Sequence, residues 1–339
     1  QADAAALPFL LPNCKNVDAE CDTWRSQGEC EANPGYMSYN CMLACGVCHT
    51  AYLHAIPRSL PIAEGVWMPT IGFGTAALGD RTADAVESAL KAGYRLLDSA
   101  QAREWYREDL VGAGLAASGV DREEVFLTTK IHPRNLGYWA TLTAFDDSLR
   151  DLRTDYVDLV LLHYPECSPS LCGNGVLPEG DFKESWAALE QLVDEKRVRA
   201  IGVSNFNIQQ LSELLRTARI RPALLQARSD VLRAGRENWA WCRRHNITFQ
   251  GYSTLGTQHG GAGNPVLEHP LLRDVARAKA RAPAQVALRW ALGHGQAVVP
   301  RASSKGHLAQ NLVADSFDLT DQEMQDLDAL DGTSPRVEQ

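Results

Sequence analysis

From about residue 60 to about residue 330, short apolar runs recur along the chain, each followed by a longer stretch whose apolar residues return every three or four positions. The short runs, TIGFGTA, YRLLD, VFLTTK, YVDLVLLH, VRAIGVS, ALLQA, ITFQGYS and AVVP, read as strands. The longer stretches, among them TADAVESALKAG, WATLTAFDDSLRDL, FKESWAALEQLVDEKR, NIQQLSELLRTA, RENWAWCRRH and PAQVALRWALGHG, read as helices. Eight alternations with short connections predict an α/β fold, a single (β/α)8 TIM barrel, rather than an open doubly wound sheet. PIAEGVWMP, ahead of the first run, predicts a short hairpin. No shorter internal repeat or low-complexity segment interrupts the pattern.

Polar residues that close the apolar runs are the candidate chemistry. Asp98 ends YRLLD, Lys130 ends VFLTTK and His163 ends YVDLVLLH. In a barrel, the carboxyl ends of the strands converge on one face, where catalytic groups collect. Tyr106 lies in the loop after Asp98. Carbonyl reduction needs a hydride donor, a proton donor at the oxygen and stabilisation of the developing charge. A tyrosine acid needs its pKa lowered from about 10, which a nearby ammonium does; a carboxylate pins the ammonium, and a neutral histidine orients the carbonyl. These four residues supply one of each type. Each also has a plainer role open to it: a histidine after a strand is more often structural, Ser204 and Asn205 can cap the helix near Asn207, and Asp98 can be a turn residue.

The cysteines change the picture at the N-terminus. Of the nine, six (Cys14, Cys21, Cys30, Cys41, Cys45 and Cys48) fall within 35 residues, in a segment too poor in apolar residues to build its own core. Disulfides are the expected remedy, and they imply an oxidising compartment. A zinc site is the competing reading, but the segment has no histidine, and the spacings 7, 9, 11, 4 and 3 lack paired CxxC knuckles. No other metal site is expected. The start, QADAAALPFLLPNC, has no basic leader region, so any signal peptide is not part of this sequence, and it is the cysteines that set the expectation of a secretory-pathway chain, in the endoplasmic reticulum lumen or outside the cell.

With 339 residues the chain has room for one barrel, which takes roughly 250, and a small appendage. A net charge of -9 with scattered Lys and Arg argues against a nucleic-acid partner. No apolar run is long enough for a membrane span.

The first 48 residues resemble the ShKT (ShK toxin-like) module: CKNVDAECDTWRSQGECEANPGYMSYNCMLACGVC carries its W, G, NPxYM and CxxxCxxC landmarks. The resemblance implies pairing of Cys14 with Cys48, Cys21 with Cys41 and Cys30 with Cys45, and a small docking or stabilising appendage, open to a protein partner. Residues 49–60 read as a linker and 61–339 as the barrel domain.

The barrel region resembles the aldo-keto reductases. GYRLLDSA, VFLTTK and SLRDLRTDYVDLVLLHYP resemble the segments that carry the family's catalytic Asp, Lys and His, and GVSNFN resembles its G-x-S-N-F segment. The resemblance implies that Asp98, Tyr106, Lys130 and His163 are catalytic. It implies that Ser204, Asn205 and Gln226 hold the nicotinamide carboxamide while Tyr252 stacks on the ring, and that Gly74, Thr75, Ser253 and Leu255 also line the cofactor cleft. In VVPRASSKGHLAQN, Arg301 stands where the family has Lys, Ala302 where it has Ser, and His307 where it has Arg. Arg301, helped by Ser303, Ser304 or Lys305, can still grip a 2′-phosphate, so NADP rather than NAD is expected, with Gln310 and Asn311 at the adenine end.

The loop from Asp98 to Gly112 is two residues longer than in the family. Arg103 stands where the tyrosine falls counting forward from the Asp, and Trp105 where it falls counting back from the glycine. Tyr106 alone in the loop has the hydroxyl, which leaves Trp105, with His132, as substrate-pocket wall. Cys167 and Cys172 are spaced to close a small loop disulfide at the pocket mouth, and the chain lacks the family's long C-terminal loop, so an open pocket for a bulky or polymer-borne aldehyde or ketone is expected. Cys242 reads as a buried thiol, and Asn246 begins a glycosylation pattern with little room for a glycan. Monomer is the favoured state. The rival to an NAD(P)H-dependent carbonyl reductase is a catalytically silent nucleotide-binding barrel that acts as a sensor through its ShKT module; a barrel hydrolase would need paired carboxylates at strand ends, which are missing.

Overall fold

The computed structural model describes residues 19–32, 44, 53–259, 263–302 and 304–333. Two strands, β1 (Ser59–Ala63) and β2 (Val66–Pro69), form an antiparallel hairpin with Leu60 opposite Met68. Eight parallel strands follow in chain order: β3 (Phe73–Gly74), β4 (Leu96–Asp98), β5 (Phe126–Ile131), β6 (Val157–Leu162), β7 (Val198–Ser204), β8 (Leu224–Arg228), β9 (Thr248–Tyr252) and β10 (Ala297–Val298). Each pairs with the next, and backbone bonds from Val298 N to Thr70 O (2.9 Å), Gly72 N to Val298 O (2.8 Å) and Gly74 N to Pro300 O (3.1 Å) join the last strand to the first. The eight predicted runs are thus the eight strands of a closed (β/α)8 barrel.

Two apolar layers hold it. Leu96, Phe126, Leu159, Leu161 and Leu224 pack inside the barrel, and Leu60, Ile62, Val66 and Met68 of the hairpin join them, so the hairpin closes the floor. A second, larger layer packs the outward faces of the strands against the helices, with Leu97, Leu127, Val160 and Ile201 meeting Val86, Phe145, Trp186 and Trp290. Both faces of β5 and β6 are therefore buried, which is why those runs lack strict alternation.

Local signals set the helix ends. Asp181 and Glu184 form a capping box at the helix Phe182–Asp194, and Asn207 and Gln210 form another at Ile208–Thr217. Because Asn207 supplies that cap, Ser204 and Asn205 are not used for it. Gly93 and Gly119 end the helices Thr82–Ala92 and Glu108–Ser118 in the left-handed conformation. Near the N-terminus, short helices cover Cys21–Ser26 and Glu29–Ala32, and Cys21 packs against Ala44. Cys21 and Cys30 are both disulfide-bonded. Cys14, Cys41, Cys45 and Cys48 lie outside the described residues.

Candidate active site

The carboxyl ends of β4, β5 and β6 bring three residues together. Asp98 is the last residue of β4, Lys130 the penultimate residue of β5, and His163 follows β6 directly. Lys130 is completely buried, and its Nζ donates to Asp98 Oδ1 (2.7 Å) and to the carbonyl of Ser99 (2.9 Å). Breaking such a pair by removing one partner strands a buried charge. Asp98 Oδ2 accepts from Gln226 Nε2 (2.7 Å), which also donates to Gln250 Oε1 (2.6 Å). Gln250 Nε2 in turn reaches Met68 Sδ at 3.7 Å on the floor hairpin.

Tyr106 joins them through its loop. The amides of Trp105 and Tyr106 both donate to Ala102 O at 2.8 Å, so the longer loop coils into a tight turn. This turns Trp105 outward, 63% exposed, and Tyr106 inward. Lys130 Nζ lies 5.2 Å from the Tyr106 ring centre, and the His163 ring stands edge-on to it at 6.1 Å. The loop is stapled on three sides by Arg103–Asp151 (2.7 Å), Glu104–Arg134 (2.6 Å) and Arg107–Asp80 (2.9 Å).

Burial pushes the Tyr106 phenol above its ordinary value, and the Asp98 carboxylate adds to this. The expected lowering of Tyr106 is therefore corrected: desolvation first, then the Asp98 carboxylate, raise it, and the group is held protonated. Burial and the Lys130 ammonium keep His163 well below the imidazole range, so it is neutral, and its Nδ1 is buried with no partner among the described residues. His132, buried beside it, is pushed down to about 4 by burial and Arg134, whose amide and Nε both donate to His132 Nδ1 at 3.1 Å.

The predicted cofactor residues lie on the neighbouring strand ends. Ser204 ends β7 and pairs with Gln226 of β8. Asn205, at φ 61°, donates to the carbonyl of His163 (3.0 Å) and to Ser204 Oγ (3.1 Å), and its Oδ1 accepts from the Tyr252 hydroxyl (2.7 Å). Tyr252 ends β9; Ser253 (φ 53°) and the half-buried Leu255 follow it. The Thr75 hydroxyl donates to Asp98 O at 2.9 Å. Gly74 has a packing reason as well, since a Cβ there would meet Val299 O at 2.6 Å where β3 and β10 close the barrel.

Further round the rim, Arg301 Nη1 donates to Ala76 O (3.2 Å) and Ala77 O (3.1 Å), leaving an exposed guanidinium with no carboxylate partner among the described residues. Ser304 caps the helix Lys305–Leu312 by accepting from the His307 amide at 3.2 Å. That helix start is an anion-favouring terminus. His307 and Gln310 are exposed on the helix, Asn311 is buried, and Ser303 lies outside the described residues. Carboxamide groups beside the cluster of Asp98, Tyr106, Lys130 and His163 and a cationic helix start further along the rim fit the two ends of a nicotinamide dinucleotide.

Residues 70–332 match the model of the Aldo/keto reductase family, and residues 13–48 match the ShK domain-like family. The chain belongs to the aldo/keto reductase family. It is 38% identical over 269 residues to the 9,11-endoperoxide prostaglandin H2 reductase of Trypanosoma cruzi, covering 79% of this chain and 89% of that one. It is 37% identical over 287 residues to the morphine 6-dehydrogenase of Pseudomonas putida, covering 80% and 93%. Among solved structures, the Bombyx mori aldo-keto reductase in complex with NADP superposes with a TM-score of 0.75 at 29% identity, covering 84% of this chain and 95% of that one. As a member of this family the chain is a nicotinamide-dependent oxidoreductase, and no helix of the described residues is long and apolar enough to cross a membrane.

Three participants do not stand out in the sequence. Gln250 shows only as a polar residue inside the run ITFQGYS. Gln101 bridges the site to the outer layer, accepting from the His132 amide (3.0 Å) and donating to Ser148 Oγ (3.0 Å). Glu108 looks like an ordinary first-turn acid, yet it is buried, accepting from Ser148 Oγ at 2.9 Å and from Thr129 Oγ1.

Proposed function

We propose that the chain is an NADP-dependent reductase of aldehydes or ketones in the secretory pathway, with Tyr106 as the proton donor. The observation that carries this reading is the Tyr106 ring seated beside both the Lys130 ammonium and the His163 ring. It favours catalysis over a silent nucleotide-binding barrel. When bound, the reduced nicotinamide supplies the hydride to the carbonyl carbon. Tyr106, kept protonated by burial, gives its proton to the carbonyl oxygen and becomes phenolate. Lys130 stabilises that phenolate, Asp98 and the Ser99 carbonyl keep Lys130 in place, and the neutral His163 holds the carbonyl oxygen. Asn205 and Gln226 offer amides to the nicotinamide carboxamide, and the Tyr252 ring offers its face.

Arg301 and the start of the helix Lys305–Leu312 support NADP over NAD, because a 2′-phosphate is a dianion that guanidinium binds through paired hydrogen bonds. Relatives named as reductase of a prostaglandin endoperoxide and dehydrogenase of morphine support a bulky substrate. The Cys167–Cys172 disulfide and the bonded Cys21 and Cys30 support an oxidising compartment.

The test is an initial-rate assay with NADPH and a panel of aldehydes and ketones, followed by loss of nicotinamide absorbance. Tyr106→Phe is expected to lower kcat by roughly two to four orders of magnitude with the melting temperature unchanged. Undiminished turnover by Tyr106→Phe overturns the assignment of the acid.

A further inference from the structure

Asn246, Ile247 and Thr248 form an acceptor tripeptide for N-linked sugar, and no other Asn-x-Ser or Asn-x-Thr pattern occurs in the chain. Its place just ahead of a strand predicts little room for a glycan, and the fold corrects this. Asn246 lies in the turn between the helix Arg236–Arg244 and β9, at the end of the barrel opposite the active site. The turn is tight: Asn246 adopts φ 53°, a left-handed conformation that Asn tolerates better than most residues, and its backbone amide donates to Arg243 O (3.2 Å). Ile247 is buried and anchors the turn, while Asn246 is exposed. Neither the Asn246 carboxamide nor the Thr248 hydroxyl makes a hydrogen bond among the described residues, so the fold uses neither group.

The surroundings suit a sugar. Asn246 shares the mouth of a cavity of about 300 Å³ with Trp67 of the floor hairpin, which is 59% exposed, and Leu60, Pro61 and Phe249 form apolar wall beneath them. A pyranose ring has an apolar C–H face and polar edges, so it covers an indole while its hydroxyls stay in water.

We propose that Asn246 is an N-glycosylation site and that the first sugars of its glycan lie over Trp67 and the apolar mouth beside it. The inference rests on the secretory-pathway reading given above, because that compartment supplies the donor, an oligosaccharide carried on a lipid diphosphate. In the transfer, Asn246 Nδ2 forms a bond to the anomeric carbon of the first sugar and loses one proton. The bond from that carbon to the diphosphate oxygen breaks, and the lipid diphosphate leaves with its electron pair. In the folded chain the Thr248 amide donates to Ala223 O (3.0 Å), so attachment precedes the pairing of β8 with β9. The glycan then stands away from the rim that holds Asp98, Lys130 and His163, and turnover is untouched.

The test makes the full chain in insect cells behind a cleavable signal peptide and reads intact mass, peptide maps, tryptophan emission and NADPH-dependent turnover. The exported chain is expected to carry extra mass that peptide N-glycosidase removes and that maps to the peptide containing Asn246. Asn246→Gln and Thr248→Ala should each lose that mass, whereas Thr248→Ser should keep it. Asn246→Gln should shift tryptophan emission to the red relative to the glycosylated chain, and should not do so when Trp67→Phe is also present. An exported chain with Cys21 and Cys30 oxidised but no glycan would overturn the site and leave the secretory reading standing; a chain retained with those cysteines reduced would overturn both. A glycosylated chain without turnover, where Asn246→Gln has it, would show that the fold does not accept the glycan. Emission unmoved by Asn246→Gln would overturn the packing on Trp67.

Discussion

Glu108 is a carboxyl group held out of water two residues beyond Tyr106, between the hydroxyls of Thr129 and Ser148. Burial raises it from 4.5 to about 7. The folded chain therefore binds more protons than the unfolded one between those values. Its neutral carboxyl favours folding fully below about 4.5, and that contribution is lost as pH rises through about 7. Thermal melts from pH 4.5 to 8 should show a decline that Glu108→Gln flattens; an unchanged slope in the variant refutes the assignment. Arg301 belongs to the same scale. Arg301→Ala should raise the KM for NADPH by roughly ten to a hundredfold, the worth of a charge-assisted hydrogen bond, and that for NADH much less. Equal effects on both cofactors would remove Arg301 from the 2′-phosphate.

At the scale of elements, strand ends are readable from the sequence, because an apolar run that stops at a lone Asp, Lys or His marks the point where a buried strand reaches the polar rim. The loop carrying Tyr106 is not readable in the same way, because its register depends on a turn. Counting from either flank points to Arg103 or Trp105, whereas two amides converging on Ala102 O direct Tyr106 inward. Glu108 is hidden for another reason: acids are common in the first turn of exposed helices, and burial is a tertiary fact. The loop after β6 carries its own constraint in the Cys167–Cys172 bridge. Closing so short a loop stabilises by about 2 kcal/mol on chain-entropy grounds. The double variant Cys167→Ser, Cys172→Ser should lose no more than that in urea unfolding, yet change KM for bulky carbonyls more than for small ones. Equal changes in KM would detach the loop from the substrate.

For the molecule as a whole, eight alternations are enough to specify a closed barrel, while the way the preceding chain is anchored is not visible in them. Arg289 does this: fully buried, it donates to the carbonyls of Leu53 and His54 (2.9 and 3.0 Å), to Phe317 O (2.6 Å) and to Asp318 Oδ1 (2.8 Å). In the sequence it is one arginine in an amphipathic helix. Arg289→Met should cost about 2 kcal/mol and hasten proteolysis near residue 54. Unaltered protease sensitivity would show that the contact does not tether the segment.

The polar thread from Asp98 through Gln226 and Gln250 to Met68 gives the barrel an axis as well as a rim. Redesign of such a scaffold is then unequal at its two ends. Upper loops can be exchanged as separate parts, whereas a replacement floor hairpin must restore a sulfur, or another acceptor, at the depth of Met68, or the amides above it lose their alignment and release the carboxylate that holds Lys130.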